Sequence, residues 1–231
     1  MPKKTPLLLW TVLILLLGNP IYGSAETDDS SFKNADLSTL QFKRIAVMPF
    51  LTGKLESPEQ PVEKPLSQPL EILHVDAANL AEGADRILTR LVNEVLQIRF
   101  ADQVVSMEDA AAGYAEATRD RTLDTPRKIA KQFGENVHAD LVVIGTIWRF
   151  REKGTVEENP DSPASVAFSV YLMEVSTGKR LWHNSFDGTQ KTLSEDVLGG
   201  LKQIKMGLRW RSVNELARYG GKNVFRTFPL T

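Results

Sequence analysis

Between residues 139 and 188 the hydrophobic and polar positions predict one short, fully covered strand followed by a long hairpin. Leu141, Val142, Val143 and Ile144 are consecutive large apolar residues between a polar approach at Asp140 and Gly145, the pattern of a central strand buried on both faces. Residues 166–175 alternate instead, with Val166, Phe168, Val170 and Leu172 on one side and smaller or mixed residues on the other. That spacing predicts a half-covered antiparallel strand. Ser176-Thr177-Gly178-Lys179 has turn chemistry, with Gly178 able to take positive φ, and residues 180–186 return with Trp182 and Phe186 on one side. The pattern implies a sheet with one helix-covered face.

Upstream, residues 42–50 form a further strand with Ile45 and Val47 at its centre, ended by Pro49, which has no N–H for a ladder. Residues 102–107 predict a short strand around Val104 and Val105. Helical periodicity governs residues 79–99, where Leu80, Ala84, Ile87, Leu88, Leu91, Val95 and Ile98 recur at three- and four-residue spacings, and residues 108–117 predict a small Ala-rich helix. Thr125 is placed to cap a helix opened by Pro126, with Gly134 near its last turn. Capping-box spacings at Thr192–Glu195 and Ser212–Glu215 predict a long helix over residues 192–208 and a short one stopped by Gly220-Gly221. Phe225, Phe228 and Leu230 predict a docked tail. The fold class is α/β (α+β): a single domain over residues 42–231, with a mixed five-stranded sheet, a C-terminal antiparallel hairpin and helices packed on it.

Residues 51–78 have no regular period. They carry Pro58, Pro61, Pro65 and Pro69, and predict a long loop leaving the carboxyl end of the first strand, where open α/β sheets place ligands. Leu66, Leu70, Ile72 and Leu73 are the candidate partner-binding residues, an apolar patch for another protein; the alternative is an insertion that packs on its own domain.

The N-terminus adds a compartment. Lys3 and Lys4, the apolar run from Leu7 to Leu17 and the small residues Gly23 and Ala25 predict a secretory signal peptide over residues 1–25, with a flexible lead-in over 26–41. The run is short for a membrane span, although an uncleaved anchor would export the rest equally. The chain has 28 basic against 29 acidic residues, and losing Lys3 and Lys4 makes the remainder more acidic, which disfavours nucleic acid as a partner. There is no Cys, hence no disulfide and no site for N-terminal lipid attachment.

Candidate chemistry is sparse. His74, His138 and His183 fall in different elements without metal-ligand spacing, no glycine loop suits a phosphate, and no cofactor, metal or catalytic residue is implied. Asp140, at the entrance of the central strand, is the most suggestive acid, and a cap or turn is its expected role. Trp148, Trp182 and Trp210 could stack on sugars, with core or rim packing as the competing reading. Arg209-Trp210-Arg211 could rest peripherally on an anionic membrane, yet three residues are few for a membrane-binding helix.

Arg44–Phe50, Ala139–Gly145 and Leu172–Trp182 together resemble the bacterial envelope-protein superfamily that includes the TolB amino-terminal domain, the penicillin-binding-protein activator LpoB and the curli secretion protein CsgG. The resemblance implies a mixed sheet carrying helices, a periplasmic or outer-membrane-associated location, and work done by contacting other envelope proteins. It departs from many members in lacking a lipidated Cys. The charged, proline-rich residues 51–78 and 149–164 are also unlike the membrane hairpins of pore-forming members. The expected function is a non-enzymatic adaptor in envelope assembly or transport; the alternative is a peptidoglycan- or glycan-binding module using exposed Trp, with a hydrolase third.

Overall fold

The computed structural model describes residues 40–55, 65–73, 79–155, 162–189 and 212–230. The predicted signal peptide, most of the lead-in, the helix expected over residues 192–208 and the Arg209-Trp210-Arg211 triplet lie outside them.

Strand β3 (Leu141–Arg151) is the centre of a mixed, open five-stranded sheet, and the domain is α+β. On one side of β3 run β1 (Ile45–Val47) and β2 (Leu51–Thr52), both parallel to it; on the other run β4 (Ser165–Glu174) and then β5 (Arg180–Thr189), antiparallel. β1 and β2 are one strand interrupted at Pro49. The Met48 N–H still reaches the Val143 carbonyl at 3.0 Å, the Phe50 N–H turns to the Thr89 hydroxyl at 3.0 Å, and the chain rejoins β3 opposite Thr146 and Ile147.

The strand count therefore matches expectation with one change of membership. Residues 102–107 do not form a strand: Val104 makes only an isolated parallel bridge to Ile45, and the Val105 N–H donates to the Ile45 carbonyl. The fifth strand is β2, two residues long, which no periodicity can reveal.

Both faces of the sheet are covered, which corrects the expectation of one. On the first face Val143, Ile147, Phe168, Val170 and Leu172 pack with α1 (Ala84–Phe100) and α4 (Val213–Phe225). On the second, Val142, Ile144, Tyr171 and Met173 pack with α2 (Met107–Ala117) and α3 (Pro126–Asn136). β4 is thus buried along both sides, because its Ala167, Ser169 and Tyr171 positions are closed over as fully as its apolar stripe.

Local cap chemistry forms as its spacing dictates. The Thr125 hydroxyl accepts the Lys128 N–H at 3.3 Å ahead of Pro126, and Ser212 with Glu215 makes a reciprocal capping box. Gly178 sits at φ +67 in the β4–β5 turn. Two helix expectations are corrected. Gly220-Gly221 does not stop α4, which runs on to Phe225; a Cβ at Gly220 would stand 2.5 Å from Phe186, and one at Gly221 2.5 Å from Leu91. The pair lets α4 wedge between β5 and α1. In α1 the buried stripe is Leu88, Leu91, Val92, Leu96 and Phe100, while Ile98 is 86% exposed.

The tail docks as predicted. Phe225 and Phe228 are buried and join Trp182, Phe100 and Phe42 in one aromatic cluster, with Trp182 and Phe228 edge to face at 5.1 Å and Phe42 and Phe100 at 5.3 Å.

Candidate functional site

The connection after β2 is anchored. Leu66, in a 3-10 turn at Pro65–Ser67, is 0% exposed and packs in the second-face core with Leu55. Leu66 is thus a core residue, which corrects its place in the expected contact patch. A second 3-10 turn, Leu70–Ile72, is held by the Leu70 N–H donating to the Asp124 carbonyl at 2.8 Å. Leu70 and Leu73 are half-buried against the same core, and the Ile72 side chain lies outside the described residues. The two ends of the excursion meet, since a Cβ on Gly53 would fall 2.6 Å from that of Leu73. The segment is bound at intervals, which combines both sequence readings: part insertion packed on its own domain, part surface.

Asp140 is a backbone clamp. One carboxylate oxygen accepts the Lys43 and Arg44 N–H groups at 2.6 and 3.0 Å, its N–H donates to the Arg44 carbonyl, and its carbonyl accepts the Val175 N–H. It borders a broad depression of about 1060 Å³ at the amino end of β1 and β3, together with Phe42, Gln103, His138 and Glu174. Gln103 is likewise engaged, donating to the Phe42 carbonyl at 2.9 Å.

Trp182 is half-buried in the aromatic cluster; Trp148 is half-buried at a bulge in β3 with the Lys54 ammonium 5.3 Å from its ring centre; Trp210 lies outside the described residues. Both described indoles are rim packing. His183 stacks on Tyr171 at 4.4 Å, and His138 adopts φ +53 ahead of β3; His74 lies outside the described residues. Among the described residues no three His, Asp or Glu side chains converge as a metal cluster would require.

A second cleft, of about 300 Å³, opens at the carboxyl end of β1, and sequence reasoning named Val47 and Pro49 of its lining only as strand residues, not as a site. β1 is an edge strand with α1 on one face and α2 on the other. Beyond the bridge between Ile45 and Val104, no strand among the described residues pairs with its outer side. The space between the helices stays open because α2 turns only Met107, Ala110 and Ala111 toward it, and small side chains cannot close the gap. Thr89 ties the floor together, donating to the Asp85 carbonyl at 2.7 Å and accepting from Phe50.

Asn93 lines this cleft. It is 3% exposed, and its side-chain amide makes no hydrogen bond among the described residues. Its amide atoms open onto the cleft, where water reaches them. Met107, an exposed large hydrophobic at 44%, stands at one edge. Arg86 and Arg90 stand at another beside Asp85. Arg86 has no carboxylate partner among the described residues, and Arg90 reaches only Glu94, at 3.9 Å. On α2, burial and then the Asp85 charge push the Tyr114 hydroxyl above its ordinary pKa. The sequence carried one signal for this site: a polar Asn93 directly after Leu91 and Val92, on the inward side of a helix.

No protein-family model matches the sequence, nor does any curated protein. Several solved structures are similar. A PelC dodecamer from Paraburkholderia phytofirmans aligns over 82% of this chain and 89% of that one, at 12% identity and a TM-score of 0.45. The LpoB C-terminal domain from Salmonella enterica aligns over 66% and 87%, at 15% identity and a TM-score of 0.38. Lipoprotein GNA1162 from Neisseria meningitidis aligns over 72% and 99%, at 17% identity and a TM-score of 0.36. LpoB was also among the proteins the sequence motifs resemble. At these scores and identities nothing about activity or partners transfers to this chain.

Proposed function

We propose that this chain is a non-enzymatic accessory protein of the bacterial envelope that works by contacting other proteins there. The observation that carries the reading is the cleft beside β1, where an apolar lining, an unmatched amide at Asn93 and a guanidinium at Arg86 are available to a partner. Asp140, the acid best placed for chemistry, is by contrast engaged with two backbone N–H groups.

The N-terminal pattern supports the compartment: residues 1–25 act as the export signal and the mature chain begins at Glu26. The finer kinship with the TolB amino-terminal domain and CsgG belongs to the same proposal, resting on Arg44–Phe50 and Leu172–Trp182. In this reading the turn Leu70–Ile72 and Leu73 form the partner-facing part of the connection, with Leu66 as its anchor.

The test is crosslinking in intact cells of the source bacterium, purification of the tagged chain, and mass spectrometry of the captured proteins and of the chain's own N-terminus. Envelope proteins crosslinked to a chain starting at Glu26 are the expected result. A cytoplasmic chain with residues 1–25 intact, or one that captures no envelope protein, would sink the reading.

A further inference from the structure

The cleft beside β1 has two features that ordinary packing does not explain. Asn93 is 3% exposed as a residue, and its amide, with no hydrogen bond among the described residues, opens onto the cleft where water reaches it. A core position would normally hold an apolar residue there or give the amide a partner. The rim, meanwhile, has two guanidinium groups against one carboxylate, with Arg86 unpaired among the described residues.

Each feature selects among occupants. A primary amide both donates and accepts, and so does the peptide group, whereas a hydrocarbon chain offers neither. Asn93 therefore favours a polypeptide over a lipid tail. About 300 Å³ is at the small end for ligand pockets, enough for one or two side chains. Val47, Pro49, Met107 and Ala110 make that space apolar. The surplus of positive charge at the rim is complementary to a carboxylate. Among the described residues no strand pairs with the outer side of β1 beyond Ile45, but Val47 there is only 1% exposed, so contact is made by a side chain inserted at the cleft and not by a strand laid along the edge.

Resting on the accessory reading above, we infer that this cleft receives a segment of a partner protein, inserting a large apolar side chain between α1 and α2. Asn93 pairs with a peptide group of that segment, and Arg86 and Arg90 receive an Asp or Glu a few residues along it.

The probe is a displayed library of random linear peptides selected on the purified domain. Enriched peptides should share a large apolar residue followed closely by an acid, and their affinity should fall as salt is raised. Ala111→Trp, a change at an exposed position on α2 that fills the cleft mouth, should abolish binding, and Arg86→Glu, also exposed, should weaken it about tenfold. Both variants should melt at the wild-type temperature, so loss of fold cannot imitate loss of the site. An empty selection, peptides without the acid, or peptides that bind Ala111→Trp as well as wild type would overturn the inference. So would a self-associating wild type that Ala111→Trp renders monomeric, because the occupant would then be a second copy of this chain. The crosslinking experiment judges the accessory role separately. Envelope partners still captured by Ala111→Trp would leave that role standing and remove the cleft from it, while a wild type that captures none but selects the expected peptides would do the reverse.

Discussion

The two ends of β1 present opposite treatments of the same kinds of atoms. At the amino end a carboxylate, an amide and several backbone groups border a wide depression, and they are matched: Asp140 accepts from Lys43 and Arg44, and Gln103 donates to Phe42. At the carboxyl end a smaller cleft holds an amide at Asn93 and a guanidinium at Arg86 that nothing among the described residues matches. Volume alone would point to the first. Polar satisfaction points to the second, because a matched group holds the fold together whereas an amide that meets only solvent in a cleft can take a ligand's hydrogen bond. Asp140 joins the start of β1 to the start of β3 across 96 residues of chain. Asn93 joins nothing.

The largest expected effect tests how firmly the carboxyl-end connection belongs to the fold. Leu66→Ala removes a wholly buried side chain from the second-face core and should cost about 3 kcal/mol in denaturant unfolding, with the secondary structure retained. A loss within experimental error would return the whole connection to the surface. Next in size, Asp140→Ala should cost about 1–2 kcal/mol. The figure is at the lower end for bonds to a charged acceptor because this clamp is exposed and water can replace part of it. Faster amide exchange at Lys43 and Arg44, with no change in peptide binding at the other end, would sharpen the contrast.

Asn93→Leu should cost little or no stability, because it replaces an amide that only solvent meets with an apolar side chain for which the cleft has space, while the selected peptides lose affinity. A destabilised variant would show Asn93 to be a structural group like Asp140 and would erase the difference between the two ends. The smallest effect is electrostatic. The Lys128 ammonium, 2.8 Å from Asp124, holds that carboxyl below the ordinary aspartate range. A folded-state pKa below the unfolded one gives stability that is present above the unfolded value and is lost as pH falls through the folded one. Its contribution should therefore fade only below about pH 4. Because the pair is fully exposed, Asp124→Asn should flatten the acid limb of the melting curve slightly and leave the neutral-pH midpoint almost unmoved.

What the sequence determined by itself is what short-range chemistry decides. The hairpin of β4 and β5, the turn at Gly178, the start of α3 at Thr125-Pro126 and the capping box at Ser212 each depend on residues within a few positions of one another, and each forms as its spacing predicts. The end of β1 at Pro49 is of the same kind, being set by a missing N–H. Tertiary structure decided what depends on a neighbour distant in sequence. Gly220-Gly221 reads as a stop in isolation and becomes a packing surface only because Phe186 and Leu91 press against it. Val104 has strand composition but meets β1 at a single bridge, and β2 is a strand only because Thr146 and Ile147 lie beside it. The small residues of β4 look solvent-facing until a second layer closes over them. Asn93 needed most from the fold: its residue type says it can hydrogen-bond, and only the positions of α1, α2 and β1 around it leave that capacity without a partner among the described residues and open to one cleft.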